Sequence, residues 1–245
     1  MKWYGTLIGI SAIVLLVSAG MVRFSAENNQ VATEEPSQEL ESVSAETGRN
    51  RDDVKKSLGA RTILLPTPVW AIGSYDKEGK PNVMTAAWVG ICCSKPPCVT
   101  VSLRQATYTY GNIMERKAFT VNIPSESFAE ETAYFGRVSG RDVDKFSTTG
   151  LTPVKSDLVD APYIEEFPLV VECKLLHTFE LGLHTMFVGE IVDIKANTSI
   201  LGENGLPDME KLKPFVFAPG SSHFYRTGEY LGEVSSLAKK ISNDK

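Results

Sequence analysis

From Ile63 onward the chain is written in short runs of β-branched and aromatic residues, each broken within a few positions by Gly, Pro, Asn or Asp. Such side chains suit half-buried strands, and breaks at that spacing favour hairpins over the regular strand–helix alternation of a parallel sheet. Residues 69–75 are expected as a strand, Asp76-Lys77-Glu78-Gly79 as a hairpin turn, and residues 82–93 as a long returning strand. Ser94-Lys95-Pro96-Pro97 should break the sheet, because proline donates nothing to a ladder. Residues 99–104 read as a strand, 107–117 as a short helix, and 119–123 as a strand stopped by Pro124. Ser127 should open a helix to Phe135, with Glu130 three residues on completing a capping box. Residues 169–181 and 185–196 form a second long pair joined at Gly182-Leu183-His184, and 215–217 a last short strand. The expected fold is mainly β with a few short helices, a β-barrel rather than a doubly wound sheet.

The N-terminal quarter has a different texture. From Trp3 to Val22 there is no charged residue, and Lys2 and Arg23 flank the run. A helix of that length rises about 30 Å, enough to cross a bilayer, so residues 1–23 read as a membrane anchor or signal peptide. Residues 24–60 carry eight acids against four bases and no aromatic residue after Phe24. Such a segment cannot bury enough apolar surface to offset its ordering entropy and reads as an acidic disordered tether, with a short helical lead-in expected over 53–58. The folded domain is then 61–245. The formal net charge of -5 argues against a nucleic-acid footprint.

Several chemistries are excluded by absent motifs. No Gly-x-Gly-x-x-Gly, Gly-Lys-Ser/Thr or Gly-x-Ser-x-Gly occurs, which removes the usual dinucleotide, P-loop and serine-hydrolase sites. His177, His184 and His223 make no zinc pattern, so no metal site is expected. Cys92, Cys93, Cys98 and Cys173 are too few and too clustered for a disulfide scaffold. Cys93 and Cys98 read first as small hydrophobes at a strand end, with a metal or redox role as the alternative.

What stands out is Asn82-Val83-Met84-Thr85-Ala86-Ala87-Trp88, small and polar residues on a strand, as a flat ligand against backbone would require. Next comes Arg104-x-x-Thr107-Tyr108, a strand ending in arginine before a helix opened by hydroxyls. Guanidinium and the free N–H groups of a helix N-terminus converge well on a phosphate.

These stretches carry a resemblance. Pro68-Val69-x-x-Ile72-x-Ser74, Asn82-x-Met84-Thr85-Ala86-Ala87-Trp88, Ser94-x-Pro96-Pro97 and Arg104-x-x-Thr107-Tyr108 resemble the flavin reductase-like, FMN-binding split-barrel family, in particular its flavoredoxin-type members. Phe119-Thr120-Val121-Asn122, Ser139-Gly140-Arg141-Asp142-Val143-Asp144-Lys145-Phe146 and His184-Thr185-x-Phe187-Val188-Gly189-Glu190 follow in the family's order, so the likeness spans roughly residues 61–232. It implies a homodimer of split barrels that binds FMN non-covalently in a groove near the subunit interface. Asn82, Val83, Met84, Thr85, Ala86 and Ala87 would then line the ring system, Arg104, Thr107 and Tyr108 would hold the phosphate, and Lys145 would be a further contact. His184 would be the catalytic proton partner. Many relatives have Gly-Asp-His where this chain has Gly182-Leu183-His184.

The resulting expectation is an FMN-dependent oxidoreductase that passes hydride or electrons from a reduced donor, NADH or NADPH, to a flavin, ferric or protein acceptor. The alternative is a non-catalytic FMN-binding electron carrier tethered to a membrane complex. The domain is expected to be membrane-anchored by one span, or exported after cleavage, on either side of the membrane.

Overall fold

A computed structural model describes residues 54–243. The expected span over 1–23 and most of the acidic tether lie outside them. Residues 54–58 are exposed and not helical, against the expected lead-in, and the compact unit begins at Gly59. Among the described residues no helix is long and apolar enough to cross a membrane.

A short strand β1 (Thr67–Pro68) leads into the hairpin of β2 (Trp70–Tyr75) and β3 (Pro81–Ala86). Its turn forms as expected, because Asp76 Oδ1 accepts the N–H groups of Glu78 (3.0 Å) and Lys80 (2.8 Å) while Gly79 takes φ +84. β4 (Val89–Ser94), β5 (Pro97–Arg104), helix α1 (Tyr108–Arg116) and β6 (Ala118–Ile123) follow. A 3-10 turn at Glu126–Phe128 precedes α2 (Ala129–Arg137), and α3 (Lys145–Thr149) precedes the pair β7 (Pro153–Lys155) and β8 (Pro162–Ile164). The long hairpin of β9 (Leu169–Leu181) and β10 (His184–Ala196) comes next. Helix α4 (Met209–Leu212), strands β11 (Phe215–Ala218) and β12 (His223–Arg226), and α5 (Val234–Asn243) are the last elements of the described residues.

Seven strands make one antiparallel sheet in the order β3-β2-β6-β9-β10-β5-β4. Its two edges, β3 and β4, are separated in the chain only by Ala87 and Trp88. Laid flat, the edges of seven strands would lie about 29 Å apart at roughly 4.8 Å per step. Three Cα–Cα steps reach only about 11 Å, so the sheet has to curl until its edges approach. They do not pair, and the barrel stays split. The expected single strand over 82–93 is corrected by the same fact: β3 pairs with β2 and β4 with β5, on opposite edges.

Two other local expectations fail for physical reasons. Ser94–Pro97 does not end the sheet but closes a tight β4–β5 hairpin, since proline is tolerated in the loop and as the first residue of a strand. The capping box at Ser127 does not form: its hydroxyl bonds Ser125 (2.6 Å), and α2 starts after the 3-10 turn with no side-chain cap.

The barrel interior holds Ile72, Val99, Val101, Leu103, Phe119 and Phe187, all nearly or fully buried. Each large side chain contributes about 1.5–3 kcal/mol by leaving water. Gly189 leaves room for Phe119, whose ring edge would collide with any Cβ there. On the other face of β2 and β3, Ala71 and Val83 pack with Phe135, Phe146, Ile164 and Phe167 under the helices. The helical layer therefore lies over β3, and the candidate site forms between them.

Candidate functional site

A cavity of about 420 Å³ opens between β3, the start of α1, the end of α2 and the turn into α3. That volume is in the range of small-molecule sites. Strand alternation turns Asn82 and Met84 of β3 toward it, and Ala106–Thr109 form the opposite wall.

Thr107 is the N-cap of α1: its Oγ1 accepts the Tyr110 N–H (3.3 Å) and donates to the Arg104 carbonyl (2.9 Å). The first turn of a helix offers backbone N–H groups with no intrahelical acceptor, and here that turn faces the cavity. Tyr108 is oriented by its hydroxyl, which donates to Asp76 Oδ2 (2.8 Å). Burial raises the Asp76 carboxyl, but hydrogen bonds from Lys80, Tyr108 and Glu78 outweigh it and hold the group below its ordinary value. Burial and that bond to Asp76 push the Tyr108 phenol up, so it stays a donor at neutral pH.

Arg141 lies against Tyr108, with its guanidinium 5.3 Å from the ring centre and Nη1 donating to the Ala106 carbonyl (2.8 Å). It is carried by a turn in which the Ser139 carbonyl accepts from Asp142 (3.1 Å) and Val143 (3.2 Å). Gly140 in that turn has to be glycine, because a Cβ would run into Asn82 Oδ1 and come within 2.9 Å of Tyr108 Cδ1. Asp144 caps α3 through Ser147 (3.1 Å), which holds its carboxyl low with help from Lys80.

Lys145, the first residue of α3, is buried, not a solvated loop residue. Its Nζ donates to the carbonyls of Val83 (2.7 Å) on β3 and Phe135 (2.8 Å) on α2, and burial pushes its ammonium down to about 8. It clamps the two walls together. Asn82 is also buried, with Nδ2 donating to Thr109 (2.9 Å) and Ser74 (3.4 Å). Its Oδ1 has no partner among the described residues.

Of the residues expected at the site, Asn82, Met84, Thr107, Tyr108 and Lys145 converge on this cavity. Val83 and Ala86 are turned into apolar clusters, and Val83 contributes only its carbonyl. Thr85 is bonded to the Thr132 carbonyl under α2, and with Ala87 it lines a neighbouring cavity of about 400 Å³ beside Phe217 and Phe224. Arg104 and His184 are not on the wall of the site; they are cross-strand partners at the ends of β5 and β10. The Arg104 side chain is exposed and makes no hydrogen bond or ion pair among the described residues.

Arg137 and Arg141 were not singled out by sequence reasoning, although their spacing carried a signal. Arg137, Arg141 and Lys145 recur every four residues and all reach this wall, against one acid, Asp142. No single helix does this; a helix end, a turn and a helix start do. A wall with that charge excess beside a helix N-terminus can hold a phosphate, and the apolar Met84 and Val138 can flank a flat group. Asn82 Oδ1, buried against Gly140, is left without a donor among the described residues, and the cation excess and apolar flank of the wall fit a phosphorylated, ring-bearing ligand such as FMN.

Known proteins share this fold. Residues 61–223 match the family model described as the flavin reductase like domain. The solved structure of flavoredoxin from Desulfovibrio vulgaris (Miyazaki F) is 51% identical, covers 76% of this chain and 100% of its own, and superimposes with a TM-score of 0.72. Flavoredoxin from Methanosarcina acetivorans is 29% identical, with 77% of this chain and 100% of its own covered and a TM-score of 0.71. An uncharacterised protein of Aquifex aeolicus is 29% identical over 173 residues, covering 68% of this chain and 88% of its own.

Proposed function

The chain belongs to the flavin reductase-like family, and from that premise we propose that it binds FMN in the cavity between β3, α1 and α3 and works as a flavin-dependent oxidoreductase. The observation that carries this reading is the convergence of the α1 N-terminus, Arg141 and Lys145 on one cavity beside β3. Bound FMN would supply the hydride or electron transfer. The residues of the chain bind it and orient it. Arg141 and the first-turn N–H groups of α1 hold the phosphate, and Arg104, one turn earlier, adds long-range attraction. Thr107 fixes where the helix begins. Asp76 keeps Tyr108 in place, and Lys145 keeps β3 and α2 at a constant separation. Met84 and Val138 exclude water from the ring.

The proposed donor is NADH or NADPH and the acceptor a flavin, a ferric chelate or a protein. The outer half of β9, beyond Lys174, has no second strand beside it among the described residues and exposes Leu176, Phe179 and Leu181. A second copy of the chain is the proposed cover, since a bare apolar strand edge is an association site. We further propose that residues 1–23 keep the domain at a membrane, or direct its export if they are cleaved; cell fractionation of the full chain and the N-terminal sequence of the mature protein distinguish the two.

Purification of the full chain, release of its chromophore by denaturation and an NAD(P)H oxidation assay with added FMN test the function together. Released FMN with turnover supports the oxidoreductase. Bound flavin reduced only by a protein partner identifies a carrier, and a chain that neither retains nor takes up flavin overturns the reading.

A further inference from the structure

Cys93 on β4 and Cys98 on β5 are direct register partners. In an antiparallel pair, opposed residues have Cα atoms about 4.5 or 5.5 Å apart and point their side chains to the same face. Both spacings lie within the roughly 4.4–6.8 Å that a disulfide spans. The ladder is irregular between Ile91 and Cys93, which makes Cys92 the extra residue and leaves Cys93 opposite Cys98.

All four cysteines are free thiols, and they divide by environment. Cys98 and Cys173 are buried, as small hydrophobes would be, whereas Cys92 and Cys93 are exposed on an edge strand. Exposure on an edge strand is not what a packing role requires. A metal role is not supported either, because no group of three or more His, Cys, Asp or Glu among the described residues is arranged to hold an ion. Burial and then the neighbouring Cys92 and Cys93 push the Cys98 thiol up, which places the thiols within electrostatic reach of one another. No residue of β4 or β5 lines the cation-rich cavity, so the pair is separate from that site.

We propose that Cys93 and Cys98 are a thiol–disulfide site that closes reversibly across the β4–β5 hairpin, with low-molecular-weight disulfides as its co-reactant. The exposed Cys93 thiolate attacks one sulfur of RSSR, forms a mixed disulfide and expels RS⁻. Cys98, opposite it, gives up its proton and attacks the Cys93 sulfur, which releases the second RS⁻. The two cysteine protons end on two RSH molecules. The pair is oxidised by two electrons and the small disulfide is reduced by two. Register partners of an antiparallel pair stand at a spacing that a disulfide spans, so closure calls for no more than local adjustment beside the bulge.

The test uses the full chain, reduced, desalted and equilibrated with buffers of reduced and oxidised glutathione, then quenched by alkylation in denaturant and weighed intact. The reduced chain should take up four labels, one for each free cysteine. In oxidising buffer it should lose two of them without a glutathione adduct, and dithiothreitol should restore them. Cys92→Ser and Cys173→Ser should lose two labels as the wild type does, while Cys93→Ser and Cys98→Ser should lose none to an internal bond. The proposal is overturned if the wild type keeps every label, if Cys93→Ser still loses two, if a stable glutathione adduct accumulates instead, or if a non-reducing gel shows the loss to come from linked dimers.

Discussion

His184 at the start of β10 stands directly opposite Arg104 at the end of β5, the last register pair of that ladder. From Arg104 the chain turns at once into α1, the Thr107 N–H donating to the Arg104 carbonyl (2.9 Å). The two residues that a family resemblance assigns to separate tasks, phosphate binding and proton transfer, therefore share one end of the barrel beside the first turn of α1. Neither lines the cavity within a single chain.

This placement predicts a specific kinetic signature for His184. His184→Ala should lower the rate of flavin reduction more than it lowers flavin affinity, because the imidazole is off the binding wall. Stopped-flow reduction by NADH or NADPH, compared with equilibrium flavin titration, separates the two effects. Equal losses in rate and affinity would assign His184 to structure.

Lys145 makes stability depend on pH. Folded, it gives up its proton at about 8, against an ordinary value of 10.5. The unfolded chain thus binds more protons between those values, and stability at this site must rise with pH across that window. Relative to Lys145→Met, the flavin-free wild type should gain about 2 kcal/mol between pH 7.5 and 9.5 in urea unfolding. A difference that does not change with pH, or that moves the other way, contradicts the buried, charged lysine.

Much of the fold was legible because strand signals are local. The β2–β3 turn could be read from Asp76 and Gly79, and α1 from its Thr107 cap. What could not be read was which sheet edge each strand joins. Residues 82–93 look continuous, yet the chain crosses from one edge to the other at Ala87 and Trp88, a consequence of curling the whole sheet. β12 was missed because its pairing with β11 is set by packing of Phe224 on Phe215 and Phe217. In the site, Asn82 and Thr107 carried their own signals. Arg141 did not, since its value lies in reaching Tyr108 across the fold.

The outer half of β9 predicts self-association. A fragment beginning at Gly59 should have the mass of a dimer by light scattering at micromolar concentration, and Phe179→Asp should shift it to monomer, because it places a charge on an apolar edge where Phe179 is 50% exposed. A wild-type monomer with flavin bound would count against a paired edge.

The central claim, that the cation-lined cavity holds the phosphate of FMN, is tested most directly by titrating wild type and Arg141→Ala with FMN and with riboflavin, which lacks the phosphate. A charge-assisted contact of this kind is worth about 1.5–3 kcal/mol, so FMN affinity should fall roughly 10- to 150-fold in the variant. Riboflavin should bind wild type and variant alike, which controls for general damage to the cavity. Unchanged FMN affinity, or parallel loss for both flavins, would contradict the placement of the phosphate at Arg141 and the start of α1.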